Sequence, residues 1–203
     1  MADSSVEETD LVLRPADPQD AAALADLFIA ARRAAHPAMP HPVHSPEEIH
    51  AWFGRLLGGE REIWLAERGE EVVGHLVLDE TWLDSIYVRP GLTGGGIGTV
   101  LLDLAKSLRP DGFGLWVFET NDGARRFYLR QGLVELRRTD GSGNEEREPD
   151  IEMAWLGADP VAALRRWVDA VDDQVAELLE RRDVLSGHLH ALTSEGPDVA
   201  ADA

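Results

Sequence analysis

Alternating apolar and polar residues divide the first 157 residues of this chain into short strands and amphipathic helices. Strand-like runs occur at residues 11–14, 63–67, 72–78, 81–88, 113–119, 133–138 and 151–156. Apolar residues at near-helical spacing predict helices after Asp17, after Ser45 (which forms a capping box with Glu48), after Gly98 and after Asn121. This order of elements predicts an α/β fold, a mixed sheet with helices on both of its faces, over residues 10–157.

A different pattern begins after residue 158, where apolar residues recur at alternating steps of four and three. The members of this heptad seam are Leu164, Val168, Val171, Val175, Leu178, Arg182, Leu185, Leu189 and Leu192. The seam predicts one long amphipathic helix within residues 158–194 that forms a coiled coil with a second copy of the chain, giving a homodimer. Residues 1–9 and 195–203 are predicted to be disordered tails.

Charge and composition narrow the class of partner. The formal net charge is −19, from 38 acidic and 19 basic residues. A nucleic-acid partner is therefore not expected, whereas a cationic substrate is tolerated. The chain has no cysteine, which excludes disulfides, thiolate metal sites and an acyl intermediate on sulfur.

The sequence contains no pattern typical of a signal peptide, a membrane span or a histidine metal site. The first ten residues do not resemble a signal peptide, and no apolar run reaches the roughly 20 residues of a membrane span, so a cytoplasmic protein is expected. His36, His41, His44 and His50 do not have the spacing of a metal site, so no metal is expected. The proline-rich loop at 36–46 is interpreted as a lid.

A glycine-rich turn at residues 86–102 carries the clearest chemical signal. An apolar strand runs through Gly94, Gly95, Gly96 and Gly98 directly into a helix, an arrangement that presents backbone N–H groups and a positive helix end to an anion. The turn lacks the Lys-Ser/Thr pair of a P-loop, because Thr99 and Val100 follow Gly98, and it does not satisfy a dinucleotide fingerprint. A permissive structural turn is the alternative.

Three segments together resemble the GCN5-related N-acetyltransferases, known as the GNAT family. The first runs from Val88-x-Pro90 into Gly94-x-Gly96-Ile97-Gly98-x-x-Leu101-Leu102, the second is Asn121, and the third is Ala124-x-x-Phe127-Tyr128-x-x-x-Gly132-Leu133. The resemblance covers about residues 10–157. It implies a GNAT fold that binds acetyl-CoA, as co-substrate, in a V-shaped opening between two central strands.

The resemblance also assigns roles to individual residues. Backbone N–H groups would hold the pyrophosphate, and they belong to Thr93, Gly94, Gly95, Gly96, Ile97, Gly98 and Thr99. Tyr87 and Val88 would pair with pantetheine as an added strand, and Asn121 would hydrogen-bond the same arm. Tyr128 would protonate the departing thiolate, although packing against Phe127 is an alternative role for it.

This chain departs from the family pattern at two positions of the turn. The family usually has Arg or Gln where this chain has Thr93, and often a basic residue where it has Gly95. Side-chain help to the phosphates would thus be lost. Lys106, Arg125 or Arg126 could supply compensating charge, but a solvated helix face is the simpler interpretation of each.

A direct transfer also needs a group that accepts a proton from the amine. Asp84 is the first candidate, because it lies four residues before Val88, and strand alternation puts both on one face. Glu80 and His75 are alternatives, and Asp84 could equally be a surface carboxylate at a strand end.

The C-terminal segment resembles the first helix of the all-helical chorismate mutases, with Arg165 and Arg182 at the positions of that family's carboxylate-binding arginines. Thr193 stands where that family has a catalytic lysine, and Gly196-Pro197 ends the helix early. An active mutase is therefore not expected. The helix is expected to mediate dimerisation, and binding of a small dicarboxylate is the alternative.

The sequence thus predicts an N-acetyltransferase that moves an acetyl group from acetyl-CoA to a primary amine, either a small molecule or a protein N-terminus, in a ternary complex. The alternative is a non-catalytic module that senses acyl-CoA and assembles through its C-terminal helix.

Overall fold

The structure is a computed structural model that describes residues 10–194, and it forms two compact units that meet between Ala158 and Asp159. The predicted tails at 1–9 and 195–203, with Gly196 and Pro197, lie outside the described residues. The strands are β1 (Leu11–Pro15), β2 (Glu62–Arg68), β3 (Glu71–Leu78), β4 (Leu83–Val88), β5 (Phe113–Phe118), β6 (Val134–Arg138) and β7 (Asp150–Trp155). The helices are α1 (Ala21–Ala34), α2 (Pro46–Leu56), α3 (Ile97–Leu108), α4 (Asp122–Arg130) and α5 (Pro160–Ser194).

The seven strands form two antiparallel sheets that touch at one point. The first has the order β1-β2-β3-β4 and the second has the order β5-β7-β6. Among the described residues, the two sheets are linked by an isolated parallel bridge between Trp82, which directly precedes β4, and Gly114 of β5. The ring of Trp82 lies over Gly114, where an added Cβ would come within 2.9 Å of it. Any residue larger than glycine would therefore have to displace the Trp82 ring at this bridge.

Two apolar clusters confirm the prediction of helices on both faces. One joins α1 and α2 to the first sheet through Leu24, Phe53 and Val77. The other joins α3 and α4 to the opposite face and to the second sheet, through Leu101, Tyr128 and their neighbours. Burial of these side chains is the main force that holds the α/β layers together.

Local capping signals set the helix starts largely as predicted. Ser45 and Glu48 form the capping box of α2, and the Asn121 side chain accepts the Ala124 N–H at the start of α4. The start of α1 differs, because Asp17 caps a short 3₁₀ turn, Pro18–Asp20, before the α-helix begins. The strand expected at 81–88 begins at Leu83, because the Thr81 carbonyl accepts the Gly114 N–H instead.

The second unit, as far as it is described, is the single helix α5, which confirms the predicted long helix. Among residues 10–194, no helix is both long and apolar enough to cross a membrane. The cytoplasmic location stays a prediction.

Candidate active site

A cleft of about 720 Å³ opens where β4 and β5 diverge from their bridge. Its walls come from β4, β5, the start of α4 and the connection between β6 and β7. Asp84, Tyr87, Asn121 and Tyr128 all line it. These four sequence-predicted residues are thus brought to one space, although they span 45 positions of the chain, whereas Val88 is not among the residues that line the cleft.

The glycine-rich turn forms an anion cradle at the start of α3. Gly94 and Gly96 have φ angles of +84° and +87°, in the left-handed region that glycine favours. Gly96 is the N-cap of α3. The first hydrogen bond of the helix joins the Val100 N–H to the Gly96 carbonyl at 3.0 Å, so three helical N–H groups come before it. Those of Ile97, Gly98 and Thr99 precede the helical ladder and suit a phosphate ligand.

The three cations that could have supplied compensating charge are already engaged with protein groups. The Lys106 ammonium donates to the Gln131 carbonyl at 2.8 Å, and Arg125 forms an ion pair with Glu135. Arg126 lies 3.8 Å from Asp122 in an exposed pair. The backbone of the turn is therefore the phosphate-binding element that this region offers.

Tyr128 is a buried residue of α4 whose ring packs against Phe127, with ring centroids 5.2 Å apart. Burial raises the pKa of its hydroxyl well above the usual value. A phenol of this kind keeps its proton at neutral pH until a strong base forms beside it. Asn121 uses its side-chain oxygen for the helix cap, so its amide nitrogen is the donor that remains for a ligand.

Asp84 lies on β4 in the cleft wall, with 27% of its side chain exposed. Burial raises the pKa of its carboxyl, the ion pair with Arg61 acts against this rise, and Asp79 adds to it. An acid of this kind is better matched to accepting a proton near neutral pH than a fully solvated one.

The two alternative proton acceptors lie in other places. Glu80 is exposed in the connection between β3 and β4 and is not among the residues that line the cleft. His75 is fully buried on β3 between the rings of Phe53 and Tyr87, and burial lowers its pKa to about 3. Neither of them faces the cleft as Asp84 does.

A buried ionic contact in the cleft wall was not expected from the sequence. Arg32 of α1 donates to Glu146 at 2.8 Å and to the Pro40 carbonyl at 3.1 Å, and its guanidinium also interacts with the Tyr87 hydroxyl. Burial raises the pKa of that hydroxyl, and Arg32 partly opposes the rise. The sequence signal that could have indicated this contact is the position of Arg32, four residues after Phe28 and on the apolar face of α1.

The histidines of the 36–46 loop contact each other or nearby acids, and the two arginines of α5 are exposed. His36 stacks on His41, and His44 lies between Glu48 and Glu145. No group of three or more histidine and acidic residues within 10–194 is placed to hold a metal ion. Arg165 and Arg182 are exposed on α5, and Arg182 pairs with Asp183 at 2.6 Å.

The chain is similar in sequence to known acetyltransferases. The sequence model of the acetyltransferase (GNAT) family matches residues 23–133. The chain is 28% identical to the peptidyl-lysine N-acetyltransferase YjaB of Escherichia coli, over 49% of this chain and 67% of that protein. It is 31% identical to an uncharacterized N-acetyltransferase of Archaeoglobus fulgidus, over 48% of this chain and 77% of that protein.

Solved structures share the fold. The apo form of YjaB superposes with a TM-score of 0.60 at 23% identity, covering 73% of this chain and 99% of that one. The yncA protein of Salmonella typhimurium, described as a putative acetyltransferase with its cofactor acetyl-CoA, has a TM-score of 0.57 at 19% identity, covering 74% and 95%. At these identities the likeness concerns the fold alone.

Proposed function

Since this chain belongs to the GNAT family of acetyltransferases and is an acyltransferase, we propose that it transfers an acetyl group from acetyl-CoA to a primary amine by direct attack in a ternary complex. One observation carries the proposal. The cleft between the diverging strands β4 and β5 is lined by a partly buried carboxylate, Asp84, and by a protonated phenol, Tyr128.

Acetyl-CoA supplies the activated acetyl group, and the residues of this chain fit it. Of the backbone N–H groups from Thr93 to Thr99, that of Gly95 is already bonded to the Leu92 carbonyl at 3.3 Å. The others would hold the pyrophosphate, with the positive end of α3 behind them. Beyond the bridge at Trp82, β4 has no strand partner on its cleft side, so Tyr87 and Val88 offer backbone groups to an extended pantetheine arm.

Two residues of the chain then carry out the proton transfers. Asp84 accepts the proton that the amine gives up, directly or through water, and Tyr128 donates its proton to the departing thiolate. Both side chains line one cleft, so one pair of bound substrates can meet both groups.

The acceptor class is a primary amine of a small molecule or of a polypeptide. The Escherichia coli relative is named for peptidyl-lysine, so a lysine side chain joins the protein N-terminus among the polypeptide candidates. The acidic net charge of −19 favours encounter with each of these cations.

A calorimetric titration with acetyl-CoA, using NAD and ATP as controls, followed by an amine panel, tests this function. Saturable binding of acetyl-CoA alone, together with acetyl transfer to at least one amine, is expected. Binding without transfer to any amine would instead favour an acyl-CoA sensor, consistent with the missing basic side chains at Thr93 and Gly95. No binding at all would contradict both.

We further propose that α5 forms an antiparallel coiled coil with α5 of a second copy. The apolar seam residues from Leu164 to Leu192 are 42% to 75% exposed. In one antiparallel register Leu164 meets Leu189, Val168 meets Leu185, and Val175 meets Leu178 of the other copy.

Arg182 favours this antiparallel orientation over a parallel one. In a parallel pair it would face its own copy across the seam, with two like charges in contact. In the antiparallel register it lies level with Val171 of the other copy and next to Asp172, which can pair with it.

A further inference from the structure

A second cavity of about 640 Å³, called the side cavity below, lies next to the cleft between α1, α2 and the connection from β6 to β7. The two spaces share Arg32 and Glu146 in their walls. The ion pair between these residues is therefore the boundary between them. The cleft and the side cavity are therefore neighbouring spaces with a shared wall.

The interior of the side cavity is apolar and aromatic. Phe28 and Trp52 face each other with ring centroids 6.4 Å apart, and Ile49 and Val43 complete the wall. Val43 is 58% exposed, although it is a large apolar residue. A hydrocarbon stem would cover these groups, and each methylene that it buries would tighten binding by about fourfold.

The outer end of the side cavity is acidic. Glu48 comes from α2 and Glu145 from the connection between β6 and β7, and they are 65% and 72% exposed. His44 lies between them, 3.8 Å from Glu48 and 3.0 Å from Glu145. Two separate elements thus place carboxylates around one point, which a ligand cation can occupy in place of the imidazole.

The charges of the side cavity favour a cation at this point. Its wall contains three carboxylates and two arginines, and one of these arginines, Arg32, is already paired with Glu146. The other is Arg55, exposed on α2. The two carboxylates that flank His44 are therefore opposed by one arginine, and an anionic group would find less support here than an ammonium.

We infer that the side cavity binds the body of the acceptor, and that the acceptor is a small alkyl or aralkyl amine with a second cationic group at the end remote from the reacting nitrogen. This inference rests on the proposed acetyl transfer. The stem lies against Phe28 and Trp52, the reacting nitrogen reaches the cleft past the Arg32–Glu146 pair, and the second cation lies between Glu48 and Glu145.

The test compares monoamines with α,ω-diamines of matched chain length, each titrated by calorimetry into the full-length protein saturated with CoA. The full-length variants Glu145→Gln and Trp52→Leu are measured beside a control, Glu47→Gln. Glu47 is an exposed acid of α2, the helix that contains Trp52, and it does not line the cavity. Glu145→Gln is expected to leave the fold intact, because Glu145 is exposed and its ion-pair partner is the exposed His44.

The diamine is expected to bind about threefold or more tightly than the matched monoamine, a difference typical of an exposed ion pair. Glu145→Gln should remove most of this preference without weakening the monoamine. Trp52→Leu should weaken both amines, and Glu47→Gln should weaken neither. Acetylation rates measured in parallel should rank the amines in the same order.

Equal affinity for monoamine and diamine, no binding of either, or the same behaviour of the Glu145 and Glu47 variants would overturn the inference. A lysine peptide that is preferred to every diamine would do the same. Glu145-dependent diamine binding without acetyl transfer would leave the side cavity standing and contradict the proposed function. Acetyl transfer that is indifferent to Glu145 and Trp52 would contradict the side cavity alone.

Discussion

Arg32 and Glu146 form a 2.8 Å ion pair, although 114 positions separate them in the chain. Their side chains are 7% and 18% exposed, so the pair lies in the protein interior at the wall of the cleft. It ties α1 to the connection between β6 and β7, and both residues line the cleft as well as the side cavity. Removing one partner would leave the other charge largely buried and unpaired.

This pair should couple strongly in a double-mutant cycle. Arg32→Met, Glu146→Gln and the double variant are compared by denaturant unfolding, and we expect a coupling free energy of about 1 to 3 kcal/mol. Arg33→Met, at the exposed neighbouring residue, serves as the control and should change stability by less than about 0.5 kcal/mol. Additive single changes would mean that the contact has no energetic weight.

Tyr128→Phe should lower turnover while leaving the affinity for acetyl-CoA nearly unchanged. The hydroxyl is the group that protonates the thiolate, and removal of a positioned general acid costs about 100-fold or more in rate. The ring that packs against Phe127 is kept, so folding should be preserved. Steady-state rates and calorimetric titration separate the two effects. Turnover equal to that of the wild-type protein would remove Tyr128 from the mechanism.

Asp84 should control the acidic limb of the pH profile of kcat/KM. Only its deprotonated form accepts a proton, so activity falls as pH drops through the pKa of Asp84, which burial raises. Asp84→Asn should abolish this limb together with most of the activity, and Asp79→Asn should move the limb to lower pH, because Asp79 raises that pKa.

Two further variants decide between Asp84 and its alternatives. Removing the opposing cation with Arg61→Met should move the acidic limb to higher pH, because Arg61 lowers the pKa of Asp84. Glu80→Gln should leave the profile unchanged, because Glu80 is exposed and outside the cleft lining. A profile that responds to Glu80 and not to Asp84 would reverse the assignment.

Local signals in the sequence were sufficient for most of the fold. The Ser45–Glu48 capping box and the Asn121 cap each depend on residues three positions apart, and the structure contains both. The family resemblance depended on motifs of the same local kind, and the family and fold comparisons confirm it.

Contacts between distant elements could not be predicted in this way. The single bridge between Trp82 and Gly114 decides where the cleft opens, yet neither residue stands out in the strand pattern. The pairing of Arg32 with Glu146 depends on how α1 meets the connection from β6 to β7. Such a pairing is a property of the tertiary arrangement, and strand or helix periodicity contains no information on it.

His75 should make the folded protein less stable in mild acid. The imidazole ordinarily titrates near 6.5, but burial lowers its pKa in the fold to about 3. Between these values the unfolded chain binds the extra proton, so this residue removes stability by about 1.4 kcal/mol for each unit of falling pH. Above pH 6.5 both states are neutral and the effect vanishes.

His75→Leu tests this dependence. Near pH 7 the free energy of unfolding of the variant should equal or exceed that of the wild-type protein. The reason is that the variant lacks the two unpaired ring nitrogens of His75. The variant should gain steadily on the wild-type protein as pH falls towards 4. Curves that run parallel between pH 7 and pH 4 would show that His75 takes up a proton in the fold as readily as in the unfolded chain, and would contradict the lowered pKa.

The assembly proposed for α5 is tested by charges placed on and off its seam. Leu178 lies at the centre of the antiparallel register and is 57% exposed in the single chain, whereas Val184 is 56% exposed but lies off the seam. In the dimer Leu178→Asp would bury two carboxylates against apolar side chains, so its dissociation constant should rise at least about 100-fold. Val184→Asp adds the same charge to the same helix and should leave the dimer intact.

Arg182→Leu should strengthen the dimer, because a leucine packs in the seam that arginine interrupts. Light scattering over a range of protein concentrations measures all three, and a wild-type mass equal to 22.3 kDa at every concentration would contradict the dimer.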